Sequence, residues 1–230
     1  MKLEALSLRA GIAVPVLYFG TVFLASLFYP SFSLVGQYAS ELGAEGAPHP
    51  QILNIGLMLV GFAAMFAAYG FWRALRHLDA SAIPKRWTWC IIVMFGVAMW
   101  FAGFYPHPDW RHFGFGLSFP LLGGPAMLAA ALWNRSEATT LNRYLIGTNI
   151  FMVAIVAIMF ATGRTQFAGL LQLLYSLAAI SWIGVGAYML SCYVTNTAAD
   201  RQASQNGTKI LGKPCSIVDE DASASLSDAD

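Results

Sequence analysis

"ILNIGLMLVGFAAMFAAYGF", residues 52–71, runs for twenty positions without an Asp, Glu, Lys or Arg. At about 1.5 Å per residue, a helix of that length spans about 30 Å, the thickness of a bilayer's hydrocarbon core. A helix apolar on every side belongs in lipid or deep inside a large core. Working outward, five more stretches are equally free of charge: 10–30, 87–105, 113–133, 145–162 and 169–194. The whole chain is 57% hydrophobic and 11% charged, with a mean hydropathy of +0.59. Soluble domains carry about 25% charged residues, so a water-soluble fold is excluded. The sequence therefore predicts an all-α membrane protein, a bundle of six transmembrane helices, because in lipid each span must satisfy its own backbone.

The first stretch is expected to be a retained span. Its apolar run exceeds the roughly 7–15 residues of a signal-peptide core, and "FLASLFYP" is a poor cleavage site. Basic residues then orient the bundle. Lys2 and Arg9, then Arg73, Arg76, Lys85 and Arg86, then Arg135 and Arg143, and finally Arg201, Lys209 and Lys213 fall on one side. Arg111 and Arg164 fall on the other. Eleven against two predicts cytoplasmic N and C termini, in a prokaryotic cytoplasmic (inner) membrane. Aromatic belts agree, with Trp72, Trp87, Trp89, Trp133 and Tyr144 at one interface and Tyr29, Tyr105 and Trp110 at the other. The net charge of +1 gives no reason to expect a nucleic-acid partner; membrane lipids and a small apolar or amphipathic ligand are the expected partners.

Two units follow from composition: a transmembrane domain over 1–194 and a polar, acidic tail over 195–230, expected to be disordered and cytoplasmic. The connection 31–51 stands out, because links in helical bundles are usually about 2–8 residues and long ordered loops tend to be functional. Pairs such as Ala63/Ala67 and Ala64/Ala68 suit close helix packing. Gly123, Gly124 and Pro125 predict a kink inside the fourth span.

With this topology the polar inventory sorts by side. His49, His107, His112, Glu41, Glu45 and Asp109 all fall on the outer side, mostly in 37–51 and in "YPHPDWRHFGFG", 105–116. Asp109 and His112, three apart, share a helix face if a helix begins near Trp110. Asp109 could then orient His112, or simply cap the helix. His112, an ionisable group on a buried helix, is a functional candidate in its own right. Ser40 and Glu41 are their natural partners, and Glu41, Asp109, His112 and Ser40 are the candidate catalytic residues. Asn54 and Gln172, toward the outer ends of their helices, and the outer cations Arg111 and Arg164 are candidates for holding substrate. No spacing matches a zinc or nucleophile motif such as HExxH or GxSxG. No metal ligand is therefore assigned, and the cofactor and oligomeric state stay open.

"SELGAEGAPHPQILNIGLMLVG" (40–61) and "GFYPHPDWRHFGFGLSF" (103–119) together resemble the bacterial and archaeal membrane family catalogued as domain of unknown function 998. The resemblance covers most of residues 10–190 and rests on Ser40, Glu41, Leu42, Gly43, Asn54, Asp109 and His112. It implies six helices and no activity. The family's sixth helix often opens Gly-Leu-x-Glu-Arg; here Gly169 to Leu173 reads Gly-Leu-Leu-Gln-Leu, with neutral residues at the charged pair.

Two functions are compatible with these features. One is a membrane-embedded enzyme acting on a lipid or isoprenoid-type substrate at the outer leaflet. The other is a non-enzymatic component, either for small-solute permeation or as an accessory subunit of a membrane complex. Permeation would need a polar path inward, for which Ser118, Thr148, Asn149, Ser176 and Ser181 are the candidates. No charged residue lies mid-span to couple it to ions.

Overall fold

The computed structural model describes residues 2–163 and 165–205. Among these there are helices and turns and no strand. The long helices are α1 (Lys2–Leu27), α2 (Pro50–His77), α3 (Ala82–Phe104), α5 (Thr139–Thr162) and α6 (Ala168–Gln205), with a short α4 (Gly124–Ala131). Neighbours close a ring in the order α1, α2, α3, α4, α5, α6, with α2 also touching α6 across the middle. Five helices are long and apolar enough to cross a membrane, and a bent fourth element makes a sixth if counted as one span.

Close approach of backbones holds the ring together. In lipid the hydrophobic effect does not drive helices together, so packing of small residues must. A Cβ on Gly96 of α3 would stand 2.8 Å from the carbonyl oxygen of Gly61 in α2 and 2.6 Å from Met65 Cγ. On α1, a Cβ at Gly11 would lie 2.8 Å from Ala187 Cβ of α6 and 3.2 Å from Ala67 Cβ of α2. Ala64, Ala67 and Ala68 are fully buried.

The helices overrun the charge-free stretches. α1 starts at Lys2 rather than near 10, and its buried Glu4 reaches across to α2, Oε2 lying 3.1 Å from His77 Nε2. α6 continues past 194 to Gln205, so residues 195–205 form helix rather than the start of a disordered tail. Nothing in that segment breaks a helix, and the Thr195 and Thr197 hydroxyls donate to carbonyls four residues back at 2.9 and 2.8 Å. The rest of the expected tail, 206–230, lies outside the described residues.

The fourth span departs most from expectation. Instead of one helix over 113–133, a 3-10 segment Trp110–Gly116 is followed by Phe119–Ala131, bent from it by 42°. The break lies upstream of the expected Gly-Gly-Pro kink. Gly114, Phe115 and Gly116 have φ of +56°, +54° and +78°, the left-handed region that ends a helix. Gly114 also needs to be glycine for space, since a Cβ there would meet Ala98 Cα of α3 at 2.9 Å. Pro125 instead occupies the first turn of α4, where its missing N–H costs nothing.

Candidate functional site

The connection between α1 and α2 is an ordered cover. Its 3-10 turn, Ala39–Gly43, carries Ser40 and Glu41. Glu41 folds back on its own turn: one carboxylate oxygen accepts from Tyr38 N and the other from Gln37 Nε2, both at 3.2 Å. Three ties fasten the loop to the bundle. Gln172 Oε1 of α6 accepts from Ala39 N at 2.7 Å, and Asn54 Nδ2 of α2 donates to the Gly43 carbonyl at 3.0 Å. Leu170 N, in the first turn of α6, donates to the Val35 carbonyl at 3.0 Å. Two glycines permit these contacts. A Cβ on Gly169 would clash with the Gln37 and Leu34 carbonyls, and one on Gly43 would clash with Asn54.

The loop after α3 joins the first where Glu45 N donates to the His107 carbonyl at 2.9 Å. Asp109 is the N-cap of the Trp110–Gly116 segment and accepts from Arg111 N at 2.9 Å. The Arg111 guanidinium returns over it in a bidentate pair, Nε to Oδ1 at 3.0 Å and Nη2 to Oδ2 at 2.6 Å. It also stacks 4.0 Å from the Tyr105 ring centroid. Hydrogen bonds from the Arg111 side chain and backbone hold the Asp109 carboxyl below its ordinary pKa.

His112 is oriented by a different group. It is buried, and its Nδ1 lies 3.0 Å from the Tyr105 carbonyl oxygen. A carbonyl can only accept, so neutral His112 carries its proton on Nδ1 and keeps Nε2 as an acceptor. Asp109 does not supply that hydrogen bond. A spacing of three would put both residues on one face of an α-helix, but a 3-10 segment with an ion pair at its cap sends the two side chains to different partners.

Beneath the cover lies a cavity of about 210 Å³. Ser40 from the turn, His112 and Ser118 from the bent fourth element, and Gln172 from α6 contribute polar groups to its wall. Tyr18 of α1 and Tyr175 and Ser176 of α6 add three hydroxyls, with Tyr18 donating to Ser176 at a long 3.4 Å. The rest is apolar, including Phe95, Met99, Leu121 and Ile180. Phe113 also lines it and is 66% exposed, marking the mouth.

The expected site residues thus divide. Ser40, His112 and Gln172 meet on one cavity. Glu41, Asn54, Asp109 and Arg111 build and tie the loops that roof it, and Arg164 lies outside the described residues. Tyr18 and Tyr175 were missed; the signal available was a phenol within an apolar span, which needs a polar partner in lipid. Of the polar residues considered for a permeation path, Ser118 and Ser176 share this cavity. Thr148 and Ser181 line a separate groove between α5 and α6, and Asn149 accepts from Ala126 N at 3.2 Å. Among the described residues no three His, Cys, Asp or Glu side chains are grouped to hold a metal ion.

Multiple long apolar helices without a strand define a multi-pass membrane protein. Within that class, the chain belongs to the protein family of unknown function DUF998, whose profile matches residues 12–189. No curated protein and no solved structure matches it.

Proposed function

We propose that this is a six-span protein of a prokaryotic cytoplasmic membrane, with both termini cytoplasmic, that receives one end of a lipid-derived amphiphile in the roofed cavity and exchanges a proton with it through His112. The observation that carries this is the meeting of Ser40, His112 and Gln172, from three distant parts of the chain, on one pocket. A volume of about 210 Å³ is below the roughly 300–1,000 Å³ of pockets that enclose whole drug-sized ligands. It suits a headgroup or chain terminus whose remainder stays in the bilayer beyond Phe113.

On the enzymatic reading, Nε2 of His112 is the acid/base. Ser40, Gln172 and the Tyr and Ser hydroxyls orient the bound polar atom. Asp109, paired with Arg111, and Glu41, folded back on its own turn, act through the loops they brace.

The test is photocrosslinking of purified protein in nanodiscs with a diazirine- and alkyne-tagged isoprenoid alcohol, followed by peptide mapping. Adducts on peptides containing Phe113 and Tyr175 are expected, with loss in a cavity-filling Ser118→Phe variant that still elutes as folded protein. Adducts confined to lipid-facing positions such as Phe160, unchanged in Ser118→Phe, would overturn the reading. The orientation is checked separately with single cysteines in 37–51: reaction only with a membrane-permeant reagent would reverse it.

A further inference from the structure

A second groove lies on the outer surface of the bundle between α2 and α3, at the opposite end of these helices from the roofed cavity. It has a volume of about 790 Å³ and is bordered by Tyr69, Trp72, Arg86, Trp87, Trp89 and Cys90. Tyr69, Trp87 and Trp89 are exposed by 39, 53 and 42%. The Trp72 and Trp89 rings lean on each other with centroids 6.2 Å apart. Lys85 lies over Trp72, its ammonium 5.8 Å from the ring centroid.

Lys85 donates to the Ala80 carbonyl at 3.3 Å. The ion pairs among the described residues are Glu4–His77, Asp109–Arg111 and Glu137–Arg135, which leaves the Arg86 guanidinium without a carboxylate. Lys85 also falls in the first turn of α3, which contains no acidic residue, and Arg86 follows directly after it. Cations there oppose the helix dipole, so a bound anion relieves two unfavourable terms at once.

Depth orders the polarity. Arg86 lies four residues into α3, whereas Tyr69 lies eight residues before the end of α2 at His77, which sets Tyr69 about 6 Å deeper than Arg86. From the helix ends inward the groove therefore runs from the Arg86 guanidinium through the indoles to Tyr69 and Cys90. That is the sequence of phosphate, glycerol and acyl chain in a lipid. Its volume falls within the roughly 300–1,000 Å³ range of ligand sites.

We propose that this groove is a binding site for an anionic glycerophospholipid of the adjacent leaflet, its phosphate on Arg86 and an acyl chain along Trp72, Trp89 and Tyr69. It is independent of the roofed cavity and of the orientation of the termini.

The experiment is native mass spectrometry of delipidated protein in detergent, titrated with dioleoyl phosphatidylglycerol or dioleoyl phosphatidylcholine. Wild type is expected to retain the anionic phosphatidylglycerol preferentially over the zwitterionic phosphatidylcholine. Arg86→Gln should weaken it by about fivefold, the factor equivalent to about 1 kcal/mol per basic residue near anionic lipid. Arg86→Lys should keep most of the preference, and Arg9→Gln, an exposed cation on α1, should leave it unchanged. Arg86 is exposed, so its replacement is compatible with folding, and an unshifted size-exclusion peak verifies this. Equal retention of both lipids by wild type would overturn the proposal. So would a loss in Arg9→Gln as large as in Arg86→Gln, which would mean diffuse surface attraction.

Discussion

Replacing Gln172 with Leu tests whether the loop is a cover held by specific bonds. The side chain of Gln172 accepts a hydrogen bond from Ala39 N at 2.7 Å, directly beside Ser40. Leucine keeps the volume and removes the oxygen, leaving a half-buried N–H without a partner at a cost of about 1–3 kcal/mol. That raises the local opening equilibrium of the turn by a factor of about 5–150. The tie from Leu170 N to the Val35 carbonyl and the Asn54 tie to Gly43 persist, so opening should stay confined to the turn. Hydrogen–deuterium exchange by mass spectrometry is the assay. Peptides spanning 36–44 should exchange faster by that factor, while peptides from α2 and α3 stay unchanged. Gln172→Glu retains an acceptor oxygen and should preserve most of the protection. Unchanged exchange in the turn of Gln172→Leu would refute the claim that this bond fastens the cover; acceleration throughout the chain would show that Gln172 supports the bundle instead.

Gly96→Ala should destabilise the bundle by about 1–3 kcal/mol, because the Cβ would face the Gly61 carbonyl at 2.8 Å, which backbone cannot easily yield. Gly20→Ala, with nothing within 4 Å, should be neutral or slightly stabilising, and thermal unfolding in detergent separates the two. Asp109 has a depressed folded-state pKa, so its contribution is complete above the unfolded value near 3.9 and is lost as pH falls through the folded value. Asp109→Asn should therefore flatten the acid limb of loop protection below about pH 4, read by exchange of peptides spanning 105–116; an identical limb in both proteins would remove Asp109 as its source. Asn54→Leu removes the donor to Gly43 and should loosen the same cover as Gln172→Leu from its other end, measured by exchange in 40–47.

Composition and charge-free run length were enough to determine the class of this protein. Twenty-residue apolar stretches such as 52–71 leave the backbone no other way to satisfy itself in lipid, whatever the neighbours do. The clustering of polar residues in the two connecting loops at one end of the bundle was legible for the same reason, since the spans leave polar groups few other places. Which of those residues act and which brace was not legible. Ser40, His112 and Gln172 reach one cavity because the loop lies on the first turn of α6, a contact between segments about 130 residues apart that glycine at 169 allows. Asp109 and His112 kept their spacing but not their partnership, because Arg111 is nearer to the carboxylate and the Tyr105 carbonyl is nearer to the imidazole. The break at Gly114 to Gly116 likewise depends on α3 lying close enough that a Cβ would collide with Ala98. Local sequence determines whether a segment can enter the membrane; which side chains face a common space is decided by how close the backbones come, and only the packed helices set that distance.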